Sequence, residues 1–256
     1  RPLNLNIFNK SNKEKNNYTT GNNTISILDS MIHTRYDVKN DVIFFKSNNS
    51  KIKNSKFNYN GKLSIEPFDL DLSIDLNDKE IFNIFNNNSI LAEFIKSQLL
   101  FNDNISVKTS ILFNSKKKFL HKAKINFHII NGKINLNNSK LSNDKIGLLE
   151  LKNSNLFLEN NSLVLNTDLK IDIKNINNLF SFLNTSKKAR KDVKNILINL
   201  DYNFLSNQIK FNSIKVDNNK VSNEFLIVIE EFSDNNNNNL TKSRRLLNEL
   251  FAIYKG

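Results

Sequence analysis

The chain lacks cysteine altogether and is poor in glycine and proline, and each shortage excludes a class of protein. Without cysteine there is no disulfide scaffold, no thiolate metal site and no cysteine nucleophile. With five glycines and two prolines, turns must depend on Asn and Asp, which tolerate left-handed backbone angles. We find no Walker loop, no G-x-G-x-x-G and no G-x-S-x-G motif. The common nucleotide-binding and hydrolase sites are therefore not indicated, and no enzyme is expected.

No apolar run reaches the roughly 18 residues needed to span a bilayer as a helix. There is also no signal peptide, and the first residue is Arg1 rather than Met. We therefore expect a piece of a longer protein, whose membrane anchor or targeting segment precedes this chain.

The residues that are abundant are Asn and Lys among the polar ones and Ile, Leu and Phe among the apolar ones. Their codons are rich in A and T, so much of this composition reflects genomic bias. The net charge of +12 would suit nucleic acid or anionic lipid headgroups. The lysines are scattered, however, with short clusters only at 116–118 and 187–191, which favours solvated polar faces.

Apolar residues alternate with polar ones along most of the chain, as expected for strands with one buried face. In "INFHIINGKINLNNSKL" (125–141) the apolar positions are Ile125, Phe127, Ile129, Ile134 and Leu136, and Asn131-Gly132 marks a turn. Further alternating segments are 62–76, 104–113, 163–173, 195–204, 208–216 and 224–232. We predict about a dozen strands and a mainly β fold.

Helical spacing occurs in three places. Residues 1–232 are predicted to form one repetitive antiparallel sheet, interrupted by amphipathic helices near 78–101 and 175–192. An Asn-rich loop follows at 233–240, and a final helix at 241–256 is expected to cap the last strands. A membrane-surface or partner-binding role for that last helix stays open, because Arg244 and Arg245 adjoin its apolar residues.

The strand-to-helix pattern occurs twice. "DLSIDLNDKEIFNIF" (71–85) aligns with "DLKIDIKNINNLFSF" (168–182), and "NGKLSI" (60–65) is similar to "NGKINL" (131–136). Repeats of this kind indicate a unit that cannot bury its own apolar face and needs neighbours.

These segments resemble the C-terminal region of the AsmA-like family of Gram-negative envelope proteins. The resemblance rests on "NGKINLNNSKL", "FDLDLSIDLNDKEIFNIF" and "TDLKIDIKNINNLFSFL", and it covers most of residues 50–232. The family's glycine-rich turns are replaced here by Asn. The motifs are patterns of hydrophobicity and turns rather than invariant side chains.

The resemblance implies an elongated, curled antiparallel sheet that crosses the periplasm, with an anchor in the inner membrane. Its apolar groove would hold phospholipid acyl chains for lipid transport and outer-membrane biogenesis, and an outer-membrane protein is a possible partner. No nucleic acid, metal or cofactor is expected. The groove candidates are Leu70, Leu72, Ile74, Ile125, Phe127, Ile129, Ile134, Leu136, Leu169 and Ile171.

Two alternatives remain open. The same strands could form a structural or adhesive scaffold whose apolar faces cover each other, with no lipid. Basicity could also serve nucleic-acid binding, although the chain lacks interleaved aromatic and basic residues.

Asp69, Asp71 and Asp75 share a strand face, but no EF-hand loop accompanies them, so a solvated outer face is favoured over a calcium site. His33, His121 and His128 show no metal-ligand spacing.

Overall fold

The computed structural model of the chain describes residues 5–13, 18–27, 30–52, 55–76, 104–114, 120–159, 162–204, 206, 208–233 and 240–254. The chain is divided into two compact units. Unit 1 comprises residues 1–118 and 122–135, and unit 2 comprises residues 119–121 and 136–256. The alternating sequence pattern does not predict this division. The predicted mainly β class, with antiparallel strands and short helices, is confirmed in the described residues.

Unit 1 consists of consecutive strands that pair with their neighbours in the order of the sequence. All described pairs are antiparallel except β6 and β7, which run parallel. The strands are β1 (Leu5–Lys13), β2 (Thr19–Ile27), β3 (Ser30–Lys39), β4 (Val42–Ile52), β5 (Ser55–Ser64), β6 (Phe68–Leu76), β7 (Ile105–Asn114), β8 (Lys122–Ile130) and β9 (Lys133–Asn135). The helix predicted near 78–101 lies outside the described residues.

Unit 2 combines antiparallel strands with three α-helices among its described residues. The strands are β10 (Lys140–Asn143), β11 (Gly147–Glu159), β12 (Ser162–Ile173), β13 (Asn195–Asn203), β14 (Gln208–Val216) and β15 (Asn219–Lys220). The helices are α1 (Ile176–Leu183), α2 (Asn223–Ser233) and α3 (Leu240–Ile253), and a 3-10 turn at Lys187–Ala189 follows α1. Helix α3 confirms the C-terminal helix, and α1 with the 3-10 turn falls in the predicted 175–192 segment.

The strand predicted at 224–232 is wrong, because these residues form helix α2. Their five consecutive apolar residues carry no period that separates strand from helix. The fold resolves the ambiguity by burying Phe225 and Ile229, four residues apart on one helical face, while Ile227 stays 54% exposed. Ser222 stands at the helix start, where its Oγ accepts a hydrogen bond from the Phe225 N–H at 3.4 Å.

Asn and Asp form the turns, as predicted from the scarcity of glycine. Every non-glycine residue with positive φ in the described part of the chain is Asn or Asp. Two-residue turns with two left-handed residues connect β3 to β4, β8 to β9 and β14 to β15, which is the geometry that matches strand twist. The residues are Asn40-Asp41, Asn131-Gly132 and Asp217-Asn218.

The similarity of "NGKLSI" to "NGKINL" does not correspond to a shared structure. Asn131-Gly132 is the turn between β8 and β9, whereas Asn60-Gly61 lies inside strand β5. The alternating segment 62–76 is divided by the turn at residues 65–67, which connects β5 to β6. The letters alone do not distinguish these cases, because strand pairing decides where the chain reverses.

The core of unit 2 forms where α1, α2 and α3 pack on one face of β12–β14. Its buried members include Phe180, Leu183, Val216, Phe225 and Phe251. Asn248 ties α3 to the end of α1, since its Nδ2 donates to the Leu183 carbonyl at 2.9 Å. The helices therefore cover the apolar face at this end of the chain.

Candidate apolar binding surface

Strands β3–β9 of unit 1 place most of their apolar side chains on one face of the sheet. Residues directly opposite each other in neighbouring strands point to the same side of a sheet. One row of such partners runs without interruption by a polar residue: Val38, Ile43, Leu63, Leu70, Val107, Ile129 and Ile134. We call this side of β3–β9 the unit-1 apolar face.

Three further rows lie on the unit-1 apolar face. The first contains Tyr36, Phe45, Gly61, Leu72, Thr109 and Phe127. The second contains Tyr59, Ile74, Ile111 and Ile125, and the third Phe57, Leu76, Phe113 and Ala123. Seven of the ten groove candidates therefore share this face: Leu70, Leu72, Ile74, Ile125, Phe127, Ile129 and Ile134.

Burial divides the unit-1 apolar face into two parts. The side chains on β7–β9 are largely removed from solvent, with Ile129 at 2% and Ile134 at 1% exposure. Leu70, Leu72 and Ile74 on β6 are only half-buried, as are their partners on β3–β5 apart from Phe57, Ser47 and Ser50. The described residues of unit 1 include neither a helix nor a second sheet. The β3–β6 part is thus the more solvent-accessible portion of the face.

A polar spot interrupts the unit-1 apolar face on β3–β5, and the sequence pattern does not predict it. Strand β4 has an irregular register between Ser47 and Ser50, and both serines are buried. Their hydroxyls bond each other at 2.7 Å, and Ser50 Oγ accepts from the His33 N–H at 3.0 Å. The hydroxyls of Thr34 and Tyr59 also bond each other. Because these groups satisfy one another, they lie within an apolar surface at low cost.

Two aromatic residues of the face lie over glycines on the next strand. A Cβ atom on Gly21 would come within 2.3 Å of the Tyr36 ring, and one on Gly61 within 2.6 Å of the Phe45 ring. The sequence pattern did not identify either glycine as a packing position. A glycine within a predicted strand is the signal that could have indicated close approach of a neighbouring group.

The opposite side of the same strands is mainly polar, although Phe44, Leu112 and Ile130 also lie there. Asp69, Asp71 and Asp75 alternate with the apolar residues of β6, and Asp71, Lys108 and His128 are neighbours across β6–β8. Burial, together with the positive charges of Lys108 and Lys124, lowers the pKa of His128, against the opposing effect of Asp71. In the described part of the chain no three His, Cys, Asp or Glu side chains are placed to hold a metal ion.

The other three groove candidates belong to unit 2. Leu136 is buried, and its N–H donates to the Ser154 carbonyl at 3.3 Å. Leu169 and Ile171 are half-buried on β12 and pair with Ile198 and Ile196 of β13. This face of β12–β14 is the one that the helices of unit 2 cover.

Comparison of the chain with protein-family models, with curated proteins and with solved structures finds no match. None of the helices in the described ranges combines the length and apolarity required to cross a membrane.

Proposed function

We propose that this chain is a non-enzymatic lipid-binding segment of an AsmA-like envelope protein, which holds phospholipid acyl chains against the unit-1 apolar face. The observation that carries the proposal is the continuity of that face over seven strands, together with its half-buried part on β3–β6. A large apolar surface is costly in water unless something apolar occupies it.

The dimensions of the face suit hydrocarbon chains. Neighbouring strands lie about 4.8 Å apart, so the seven strands β3–β9 span about 30 Å along the sheet. That span is close to the hydrocarbon thickness of a bilayer, about 30 Å. Each methylene buried there contributes about 0.8 kcal/mol, and no side chain needs to recognise a particular group.

The cellular setting of the proposal follows the family resemblance. The segment would lie in the periplasm of a Gram-negative bacterium, joined to the inner membrane by an anchor outside this chain. Its role would be lipid transport toward the outer membrane, with an outer-membrane protein as a possible partner. In this proposal no residue performs chemistry, because continuity of an apolar track is the function.

Lipid extraction and site-specific crosslinking test the proposal. Mass spectrometry of the purified chain is expected to find phospholipid in near-stoichiometric amount. A photo-crosslinking residue at Leu72, which is half-buried on the unit-1 apolar face, is expected to label lipid. The matched control is the adjacent Asp71, which is exposed on the polar side of the same strand. Equal labelling from both positions, or no lipid at all, contradicts the proposal.

A scaffold function is the second candidate, and the helix-covered face of unit 2 favours it. There the chain supplies its own apolar cover from α1, α2 and α3. If unit 1 is covered in the same manner, extraction yields no lipid and the photo-crosslinker at Leu72 yields only links within the chain. That result supports the structural or adhesive scaffold.

A further inference from the structure

Unit 2 contains an apolar cavity of about 170 Å³ between its sheet and the helices α2 and α3. Strands β12–β14 and the two helices provide the walls, which include Ile171, Ile198, Val216, Phe225, Leu250 and Phe251. Tyr254, just after α3, is the only lining residue with a polar side-chain group. The cavity is therefore unsuited to ordered water, which needs two to four polar partners.

The size of the cavity places it among those that bind small hydrocarbons. A cavity of about 150 Å³ lined by Leu, Ile and Phe stays dry and binds benzene or xenon. An empty cavity leaves its lining atoms without dispersion partners, so a hydrocarbon guest restores contacts that the fold lacks. The volume accommodates a chain end of a few methylenes, not a whole phospholipid.

One wall of the cavity is accessible from solvent. Leu247 lines the cavity, yet 36% of its surface remains exposed. The neighbouring lining residues Leu246 and Tyr254 are half-buried, whereas Leu250 and Phe251 are buried. The C-terminal helix α3 thus forms the rim at Leu247 and the wall deeper inside.

We propose that this cavity binds the end of one hydrocarbon chain, which enters beside Leu247. This inference rests on the proposed function in one respect: the hydrocarbon chain is taken to be the tail of a lipid. The geometry of the cavity itself is independent of the unit-1 apolar face. Helices α2 and α3 would then have two roles: they cover the strands, and they form walls of a binding site.

The absence of tryptophan from the chain makes a direct test possible. A Leu247→Trp variant places the only tryptophan of the sequence at the rim, and brominated n-butanol, n-hexanol and n-octanol serve as quenchers of its fluorescence. We expect saturable quenching whose affinity increases about fourfold per methylene, as burial of about 0.8 kcal/mol per methylene requires. The increase should stop when the chain fills the cavity.

Ile227→Trp is the matched control, because Ile227 is exposed on α2 and does not line the cavity. It is expected to show only weak, non-saturable quenching. Adding Val216→Phe to Leu247→Trp should fill the cavity and abolish saturable quenching. Val193→Leu, a smaller change in the lining, provides a second variant that should weaken binding if Val216→Phe does not fold.

Equal quenching at positions 247 and 227, or saturable binding that survives filling of the cavity, overturns the inference. The outcome is separable from the test of the proposed function. Crosslinking at Leu72 reports on unit 1, whereas fluorescence at position 247 reports on the cavity of unit 2. Binding in the cavity without lipid on unit 1 refutes the proposed function but leaves the cavity as a hydrocarbon site.

Discussion

At the scale of single residues, Gly61 shows how the unit-1 apolar face accommodates a large ring within a strand pair. The Phe45 ring occupies the space where a side chain of its cross-strand partner would be. The backbone oxygen of Asp71 lies on the same side, 2.3 Å from the position of a Cβ atom. A side chain at position 61 would therefore require a local shift of the Phe45 ring and of the β6 backbone.

Gly61→Ala is therefore expected to lower the free energy of unfolding by about 1–3 kcal/mol, the usual cost of overpacking. Denaturant unfolding measures the change. Asn60→Ala, on the exposed neighbour, is the control and should have little effect. Equal stability of the two variants would show that the strands separate freely at this point.

His128 provides a pH-dependent contribution to stability. Its pKa is lowered mainly by burial and by Lys108, while Asp71 raises it. The unfolded chain therefore binds this proton more readily than the folded one, with an ordinary pKa of about 6.5. Stability attributable to His128 is present above that pH and falls as the pH decreases toward the folded pKa.

We expect His128→Gln to flatten the dependence of unfolding free energy on pH below about pH 6.5, where the unfolded histidine is protonated. NMR titration of the imidazole gives the folded pKa directly. Asp71→Asn removes the one carboxylate that raises this pKa and should lower it further. A titration midpoint of His128 at or above the ordinary value would refute the assignment.

At the scale of elements, helix α1 depends on asparagines at both ends. Asn175 accepts a hydrogen bond from the Asn178 N–H at 3.1 Å, and Asn184 ends the helix in the left-handed conformation. This helix contributes Phe180 and Leu183 to the core of unit 2. Its ends therefore influence the packing of α3 as well.

Replacing the N-cap by Asn175→Ala should lower the unfolding free energy by about 1 kcal/mol, because one helix N–H loses its partner. Asn177→Ala, an exposed position inside the same helix, should be neutral or slightly stabilising. Thermal or denaturant unfolding distinguishes them. A larger loss at position 177 would place the helix start elsewhere.

The predictability of each element follows from its periodicity and its partners. The alternation at Ile125, Phe127 and Ile129 predicted a strand and its apolar side, because a period of two places these three side chains on the same face of a sheet. The apolar run from Phe225 to Ile229 has no period, and only the packing of unit 2 selects a helix. The parallel pairing of β6 with β7 and the cavity under α2 and α3 depend on partners distant in sequence, so no local pattern encodes them.

At the scale of the whole molecule, the net charge of +12 lies on scattered lysines. On unit 1, Lys108 and Lys124 lie on the polar side with Asp71 and Asp75, opposite the apolar rows. This arrangement favours solubility over a nucleic-acid platform. Strong, salt-dependent retention on DNA in the absence of lipid would favour the nucleic-acid alternative instead.

If unit 1 binds phospholipid as proposed, removal of the lipid will lower the melting temperature of the whole chain, and added short-chain phospholipid will restore it. A ligand at about 100 times its Kd stabilises the folded state by about 2.7 kcal/mol. Leu72→Asp should reduce this gain, whereas Asp71→Asn should leave it intact. A melting temperature that is indifferent to phospholipid would argue for the scaffold.

The order of strand pairing has a consequence for how the chain acquires its structure. Within each unit, every described pair joins strands that are consecutive in the sequence. Pairings with low contact order form rapidly, because little loop-closure entropy opposes them. Assembly can thus proceed hairpin by hairpin within β1–β6, β7–β9, β10–β12 and β13–β15, whereas the parallel β6–β7 pair and the β12–β13 pair, which is joined through α1, must close longer connections. A damaging substitution in one hairpin would disturb mainly its immediate neighbours.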